Sequence, residues 1–357
     1  MHKIKKQKIF ALLFMLILSV SLSGCGLNVP GSDTSEDNSK DNDSITKSEF
    51  KLNTIVSITL YDSKDESILE GAMAVCDKYE QIYSRTLETS ELYKLNNRQL
   101  PSADNSKNSY VVSDELADLI GKGLYYSKLS SGSFDITIAP VSSLWNFTSG
   151  EKIVPDADKI AEAVKHVNYK NLTIEGNVVT LKEDATTIDL GAIAKGYIAD
   201  RIKEYLLKQG VKSAMINLGG NVLCVGTKPD GIPFKVGIQK PFADRNETTA
   251  IMEISDLSVV SSGIYERYFI KDDTLYHHIL DPSTGYPYKN NIIATTIISK
   301  YSTDGDGLST TTFALGLDKA LDLINSLDDT YAVFITEDYQ LHYSEGFFEN
   351  IKVVEVE

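Results

Sequence analysis

The feature that most constrains the fold of this chain is the order in which strand and helix patterns follow one another. Strand patterns recur in pairs joined by tight turns, as in Leu172–Ile188 with its Glu175-Gly176-Asn177 turn and in Ser213–Val225 with Gly219-Gly220. Strands joined by such short turns run antiparallel, because parallel pairs need a long crossover. Helix patterns do not alternate with the strands throughout, so we predict an α+β fold with a mostly antiparallel sheet.

Apolar residues at helical spacing predict six helices among these strands. The polar stretch Tyr83–Asn97 is typical of a loop, and Ser131–Phe147 is rich in aromatic and β-branched residues. The predicted helices are Glu66–Tyr83, Val111–Leu129 (capped by Ser113), Asp156–Val167, Asp189–Gln209, Gly307–Leu315 and Leu317–Leu327. The remaining predicted strands are Asn53–Tyr61, Phe234–Ile238, Ala250–Ile254, Ser258–Val260, Tyr265–Ile270, Leu275–Leu280, Ile292–Ser299 and Tyr331–Thr336.

The N-terminus has the pattern of an exported protein. Basic residues are followed by an apolar run, Ile9–Leu22, which is shorter than the roughly 20 residues of a membrane span. The run ends in Leu22-Ser23-Gly24-Cys25, which resembles the lipobox of bacterial lipoproteins. That resemblance implies a signal peptide over residues 1–24 and lipidation of Cys25, at the extracytoplasmic face of the cell membrane. The alternative is an ordinary signal peptide with a chance cysteine.

Composition sets further limits on the chain. Residues 25–48 are polar with few apolar side chains, so we expect a lipidated cysteine and a flexible tether, followed by a folded domain over residues 49–357. The formal net charge of −15 disfavours nucleic-acid binding, and a phosphorylated ligand would need a local lysine and a metal ion. Spacing leaves open whether Cys76 and Cys224 pair, and no Cys/His cluster predicts zinc.

Two glycine-containing segments are candidates for ligand contact. In Gly132–Thr137, the functional interpretation places Asp135 and nearby backbone against a ligand, and the alternative is an exposed turn that leads into a strand. In Asp189–Gly196, a strand leads into a helix start, whose free N–H groups and positive dipole end suit a phosphate. Lys195 lies in the first turns of that helix. The alternative is that Asp189 caps the helix and Lys195 is solvated.

Two further segments combine polar side chains with turns. His277 and His278 are neighbours in a strand, so their side chains should face opposite ways and should not share a role. The alternative is a structural histidine before an Asp-Pro turn. Asp306 lies at a predicted helix start with Thr310 one turn later, which is an oxygen-only pair suited to Mg²⁺. Simple N-capping by Asp306 is the alternative.

Five segments together resemble the signature sequences of the ApbE family, the FAD:protein FMN transferases. They keep the family's order and spacing between about residue 50 and residue 345, and several are long. The segments are Ser133–Trp145, Asp189–Tyr197, Asn217–Asn221, Ser261–Arg267 and His278–Gly285. The resemblance implies an ApbE-like, T-fold-related domain of two lobes.

The resemblance also implies roles for the matching positions. Mg²⁺ would be held by Asp306, Thr310 and the backbone carbonyl of Ala192, and His278 would be the catalytic base. The positions implied to contact FAD, the substrate, are Leu52, Thr86, Ser133, Phe134, Asp135, Asp189, Lys195 and Leu280. Leu52 and Thr86 stand where other members carry Met and an aromatic residue, and Ser309 stands where some members carry a second acid.

The activity implied by the resemblance is transfer of FMN from FAD to a Ser or Thr hydroxyl of a membrane-bound or extracellular electron-transfer protein, with release of AMP. Mg²⁺ and Lys195 would neutralise the diphosphate, and His278, with an ordinary pKa near about 6.5, would take the hydroxyl proton. The alternatives are an FAD pyrophosphatase that uses water as acceptor, a surface lipoprotein that binds FAD without catalysis, and a structural lipoprotein without a ligand.

Overall fold

The structure of the chain, a computed structural model, describes residues 44–103, 107–244 and 247–356. The predicted signal peptide and Cys25 lie outside the described residues. The helices of the described ranges are α1 (Glu66–Tyr83), α2 (Glu91–Asn96), α3 (Asp114–Leu129), α4 (Ala139–Ser142), α5 (Ala157–Val164), α6 (Ala194–Lys208), α7 (Ser302–Leu315), α8 (Leu317–Asn325) and α9 (Phe347–Asn350). The strands are β1 (Ile45–Lys51), β2 (Thr54–Leu60), β3 (Ser109–Val111), β4 (Leu172–Glu175), β5 (Val178–Leu181), β6 (Ala214–Leu218), β7 (Asn221–Val225), β8 (Phe234–Gln239), β9 (Thr248–Ile254), β10 (Ser258–Gly263), β11 (Tyr268–Lys271), β12 (Thr274–His277), β13 (Ile292–Ser299), β14 (Tyr331–Thr336), β15 (Leu341–Tyr343) and β16 (Lys352–Val356).

Eight strands form one sheet, in the order β1-β2-β6-β7-β10-β13-β14-β15. Every neighbouring pair in this sheet is antiparallel. The other strands form three smaller antiparallel sheets, β16-β9-β8, β3-β5-β4 and the two-stranded ribbon β11-β12. The predicted α+β fold with a mostly antiparallel sheet is therefore confirmed.

The eight-stranded sheet is the middle layer of the fold, which explains why β13 is buried along its whole length. Successive residues of a strand face opposite sides of the sheet. Ile297 therefore packs into the core shared with α1, α3, α6 and α7, whereas Ile298 packs against β8 and β9. A strand covered on both faces is apolar on both, which is what the Ile-rich sequence of β13 indicates.

A smaller apolar cluster holds the β11-β12 ribbon. Its buried members are Val141 of α4, Trp145, Ile160 of α5 and Phe269 of β11. The Trp145 indole N–H also donates to the Gly285 carbonyl at 2.9 Å, which fixes the turn that follows β12. The ribbon is thus held by aromatic packing outside the main sheet, and it ends at the predicted catalytic base.

Several boundaries differ from those expected from the sequence. A strand, β1, begins at Ile45, so residues 45–48 of the predicted tether belong to the folded part, which starts before residue 49. This edge strand is polar on one side and is stabilised by tertiary ion pairs such as Lys47 with Glu70 of α1 (2.5 Å). The expected loop before residue 97 contains α2, and Ser131–Phe147 contains α4 and no strand.

The two helices nearest the candidate site start at unexpected positions. α6 starts at Ala194 rather than at Asp189, and α7 starts at Ser302 rather than at Gly307. The two predicted lobes form one compact unit in the described chain. No helix in the described ranges combines the length and the apolar character needed to cross a bilayer.

Candidate active site

The candidate site is built where the first turns of α6 and α7 meet. Gly196 of α6 lies against the backbone of Ser302, and a Cβ at Gly196 would come within 2.1 Å of the Ser302 carbonyl oxygen. Only glycine therefore permits this approach. As a result, the free N–H groups at the start of each helix come within reach of an acidic side chain on the other.

Each of these helices is capped by an acidic residue of the other. The Asp306 carboxylate of α7 accepts the Gly196 N–H at 2.5 Å, and the Asp200 carboxylate of α6 accepts the N–H groups of Ser302 and Thr303 at 2.8 and 2.9 Å. These bonds satisfy N–H groups that lack partners within their own helix, and they place negative charge at the positive dipole ends. Asp306 thus caps α6 from the second turn of α7, and the expectation that it starts its own helix is wrong.

Asp306 has the environment of a cation ligand. Only 4% of the residue is exposed, and its second oxygen accepts the Asn221 side-chain amide at 3.0 Å. Burial raises the pKa of Asp306, and the positive charge of Lys195 and the hydrogen bonds oppose that rise. Each carboxylate oxygen accepts one hydrogen bond and keeps a lone pair, since a carboxylate offers about four lone-pair sites. A buried carboxylate with spare lone pairs fits a metal ion.

The other two predicted metal ligands lie on the two segments that the Asp306–Gly196 hydrogen bond joins. Thr310 is half-buried one turn further along α7, and Ala192 is exposed in the turn before α6. A carboxylate, a hydroxyl and a backbone carbonyl make an oxygen-only set, which suits Mg²⁺. The described residues contain no group of three or more His, Cys, Asp or Glu side chains that could hold a metal, so such an ion would complete its shell with substrate or water.

Ser309, where some ApbE members were expected to carry a second acid, is committed to other contacts. Its hydroxyl pairs with the Ser262 hydroxyl at 2.8 Å and donates to the Asp306 carbonyl at 3.0 Å. The side chain is almost fully buried. Ser309 therefore ties α7 to β10.

The two adjacent histidines have different surroundings. His277 is buried, its Nε2 pairs with the Tyr288 carbonyl at 3.0 Å, and its Nδ1 accepts the Ile279 N–H at 3.3 Å. Its ring packs edge-on against Phe313, with centroids 5.8 Å apart. Burial lowers the pKa of His277 to about 4. His277 is thus a structural histidine, neutral and satisfied.

His278, directly after β12, has one ring nitrogen that is not satisfied. Its Nδ1 is buried without a hydrogen-bond partner in the described part of the chain. Burial and the positive charge of Arg267 lower the pKa of His278 to about 3. This pKa lies below the ordinary histidine value of about 6.5. His278 is a neutral imidazole at neutral pH, which is the form that accepts a proton.

Charged side chains act on Asp306 and His278, and the space that these residues border is called the cleft below. The Lys195 charge lowers the pKa values of Asp306, Glu266 and His278, so it acts electrostatically on all three. Desolvation raises the pKa of Glu266, the positive charges of Lys195 and Arg267 oppose that rise, and the residue is exposed to solvent. Glu266 and Arg267 come from a signature segment to which the sequence assigned no role.

Asp189 joins the turn before α6 to the first signature segment. Its N–H donates to the Ile136 carbonyl at 2.8 Å, beside Ser133 and Phe134. Its carboxylate pairs with the Arg85 guanidinium at 2.9 Å. This ion pair connects the segment that contains Thr86, the residue after Arg85, to the turn before α6. The Asp189 carboxylate also accepts the Gly191 N–H at 2.9 Å, so Asp189 shapes the turn and does not cap α6.

Asp135 is committed to internal hydrogen bonds. Its carboxylate accepts the Thr137 N–H and hydroxyl at 2.8 and 2.7 Å, and the Tyr169 N–H at 2.8 Å. Asp135 and its neighbour Phe134 are both buried. The segment is therefore neither an exposed turn nor an open ligand loop, and any nucleotide contact here would fall to its backbone and to the half-buried Ser133.

Tyr288 connects this segment to the end of the ribbon. Its hydroxyl donates to the Ser133 carbonyl at 2.8 Å, and its N–H donates to the Ile279 carbonyl at 3.0 Å, next to Leu280. Through these contacts the structure brings Ser133 and Leu280, predicted from distant signature segments, to one place.

Leu52 lies at the tip of the β1–β2 hairpin. Leu52 and Asn53 have φ angles of 53° and 56°, as a tight hairpin turn requires. The Arg267 Nη2 donates to the Asn53 carbonyl at 3.4 Å. The turn that carries Leu52 is thus connected to the residue before β11, close to His278.

Sequence reasoning missed the residues that support the predicted ones. Asp200 caps α7, Arg85 pairs with Asp189, and Asn221 bridges Asp306 to Ser302, whose hydroxyl donates to the Asn221 side chain at 2.7 Å. The sequence signal that could have identified these residues is a polar side chain within an apolar stretch, as at Asp200 after Ile198-Ala199.

Known proteins resemble this chain over most of its length. It is 30% identical over 329 residues to the FAD:protein FMN transferase of Treponema pallidum, covering 87% of this chain and 89% of the relative. It is 33% identical over 299 residues to an FAD:protein FMN transferase of Klebsiella pneumoniae, covering 83% and 90%.

Solved structures resemble it as well. The ApbE protein of Thermotoga maritima is 32% identical, with a TM-score of 0.76 over 86% of this chain and 98% of that one. The flavin transferase ApbE of Vibrio cholerae, 24% identical, shares the fold with a TM-score of 0.75 over 86% and 98%. The sequence profile of the ApbE family matches residues 52–335, a range that contains every predicted nucleotide and metal position. This chain is a member of the ApbE family.

Proposed function

We propose that this chain transfers FMN from FAD to a Ser or Thr hydroxyl of another protein and releases AMP. The observation that carries the proposal is the convergence of a neutral His278, the cation Lys195 and the buried Asp306 in a member of the ApbE family. Relatives that cover most of the chain are named for this activity. A base and compensating positive charge are what attack on a diphosphate needs.

The proposed step exchanges one phosphoester bond for another without a change of oxidation state. The acceptor hydroxyl oxygen attacks the phosphorus on the FMN side of the diphosphate, and a new O–P bond forms. The bond between that phosphorus and the bridging oxygen breaks, and AMP leaves with the bridging oxygen. The hydroxyl proton passes to the neutral imidazole of His278.

The remaining residues hold charge in place around the diphosphate. Mg²⁺ bound by Asp306, Thr310 and the Ala192 carbonyl would supply positive charge to the phosphate oxygens. Lys195 adds a second positive charge from the first turn of α6. Asn221 orients the Asp306 carboxylate through its 3.0 Å hydrogen bond, so that the carboxylate is held ready for the ion.

The proposed location is the extracytoplasmic face of the cell membrane. The Leu22–Cys25 sequence supports lipidation of Cys25, and the polar segment after it supports a tether. The proposed acceptors are membrane-bound or extracellular electron-transfer proteins with a Ser/Thr-containing flavinylation motif. The net charge of −15 supports a protein partner over nucleic acid.

The test is incubation of the purified protein with FAD, Mg²⁺ and an acceptor domain. Mass spectrometry should find an added FMN on an acceptor Ser or Thr, together with AMP. Free FMN with an unmodified acceptor would identify an FAD pyrophosphatase, and bound FAD without products would identify a binding lipoprotein. Mass spectrometry of membrane and secreted proteins, with and without this gene, would name the acceptor.

A further inference from the structure

We infer that Arg267 is a second phosphate-binding cation of the cleft, which binds the FAD diphosphate beside His278. The inference rests on the proposed function and adds to it a substrate-binding residue. Three observations carry it: the register of the ribbon, the unused donors of the guanidinium and the charge balance of the cleft.

The ribbon register places Arg267 and His278 side by side. Tyr268 pairs with His277, so the next pair outward along the same antiparallel ladder is Arg267 with His278. The His278 N–H donates to the Arg267 carbonyl at 3.1 Å, which continues the ladder to this pair. Side chains directly opposite each other in an antiparallel pair lie on the same face. Arg267 therefore projects from the face that carries the proposed base.

The guanidinium of Arg267 has donors to spare. It is half-buried, and it forms no ion pair with any carboxylate of the described chain. Its one side-chain hydrogen bond goes to the Asn53 carbonyl at 3.4 Å, near the upper limit for such a bond. An arginine has five N–H donors in a planar fork that matches two phosphate oxygens. Its remaining donors suit an anion that enters the cleft.

The charge balance of the cleft, counted with the proposed Mg²⁺ and a bound diphosphate, favours a further cation. Glu266 and Asp306 contribute two negative charges, which Lys195 and the proposed Mg²⁺ would together offset. A diphosphate brings two more negative charges into a chain whose net charge is already −15. The Arg267 charge reaches both His278 and Glu266, so it acts within the same space. Arg267 offsets charge at the end of the cleft where the proposed proton transfer occurs.

A purely structural role for Arg267 makes a different prediction. In that case the residue would only hold the Asn53 turn, and with it Leu52, through the 3.4 Å hydrogen bond. Loss of that contact would weaken FAD binding through the shape of the hairpin. Its effect would not depend on ionic strength, whereas a cation–phosphate contact is screened by salt.

The experiment titrates the Mg²⁺-loaded protein with FAD at low and high salt. In Arg267→Gln, FAD affinity should fall about tenfold to a hundredfold at low salt, as expected for loss of charge-assisted hydrogen bonds, and its salt dependence should flatten. Arg267→Lys keeps the charge without the fork, so it should recover the salt dependence but only part of the affinity. Lys271→Gln, an exposed charge change at the far end of β11, is the matched control and should titrate like the wild type.

Two results would overturn the inference while leaving the proposed function intact. One is an Arg267→Gln variant that binds FAD as the wild type does. The other is a variant that loses affinity with an unchanged salt dependence, because Arg267 then acts only through the hairpin. Failure of the wild type itself to bind FAD would overturn the proposed function as well. Thermal unfolding of each variant checks its fold, and Arg267→Lys tests the charge if the glutamine variant is unfolded.

Discussion

Replacing His278 with alanine should slow flavin transfer far more than it weakens FAD binding. Loss of a general base costs about 10²–10⁴-fold in rate, or roughly 3–5 kcal/mol of barrier. A single hydrogen bond to the nucleotide would contribute only about 1 kcal/mol, or roughly fivefold in affinity. The assay combines FAD titration with single-turnover flavinylation of an acceptor. Equal losses of affinity and rate would refute the assignment of His278 as the base.

The pH profile tests the same residue in a second way. Burial and the Arg267 charge lower the pKa of His278 to about 3, so its neutral form persists as the pH falls. The profile of kcat/KM reports groups of the free enzyme. We therefore expect no His278-dependent loss of kcat/KM as the pH falls through about 6.5, the ordinary pKa of histidine. A midpoint near that pH that disappears in His278→Ala would contradict this environment.

His277→Ala is the matched control. The contacts of His277 in the structure predict that this variant loses stability but keeps its rate of transfer. The substitution removes the bond to the Tyr288 carbonyl and the packing against Phe313, so it should cost about 2–4 kcal/mol of unfolding free energy. Its pKa is lowered to about 4, so the stabilising contribution of neutral His277 is complete above the unfolded pKa and is lost as the pH falls from about 6.5 towards 4. The rate per folded molecule should stay near that of the wild type. Similar kinetic defects in the two alanine variants would remove the reason to single out His278.

Three further predictions concern the metal, the helix contact and the anchor. We expect Mg²⁺ to raise the melting temperature of the wild type, and Asp306→Asn should abolish both this rise and Mg²⁺-dependent transfer; full wild-type activity in excess EDTA would contradict this. Gly196→Ala should cost about 1–3 kcal/mol in thermal or denaturant unfolding, because its Cβ would meet the Ser302 carbonyl, whereas Gly121→Ala in open space on α3 should gain about 0.5–1 kcal/mol. Cys25→Ala should move the protein out of the membrane fraction; unchanged membrane attachment and size would count against lipidation.

The sequence determined the elements whose signals are local. The hairpin over β4 and β5, the two strands around Gly219-Gly220 and the apolar strand β13 all lie where the pattern predicts them. Their period-two alternation and turn residues are contained within a few consecutive positions. Most residues of the candidate site lie within the signature segments. Each segment can be recognised from the sequence because it is a continuous run of residues.

Tertiary structure decided where the helices of the site begin, and it decided the hydrogen-bond partners and protonation states of their side chains. Asp306 caps α6 through Gly196, 110 residues earlier in the chain, so no local pattern could place the start of that helix. The Asp135 carboxylate is held inside the fold in part by the Tyr169 N–H. Because Tyr169 lies 34 residues further along the chain, no local pattern predicts this contact. The low pKa of His278 comes from enclosure by protein and from Arg267 across the ribbon. Periodicity is a property of neighbouring residues, whereas caps, burial and charge balance depend on residues that meet only in the folded chain.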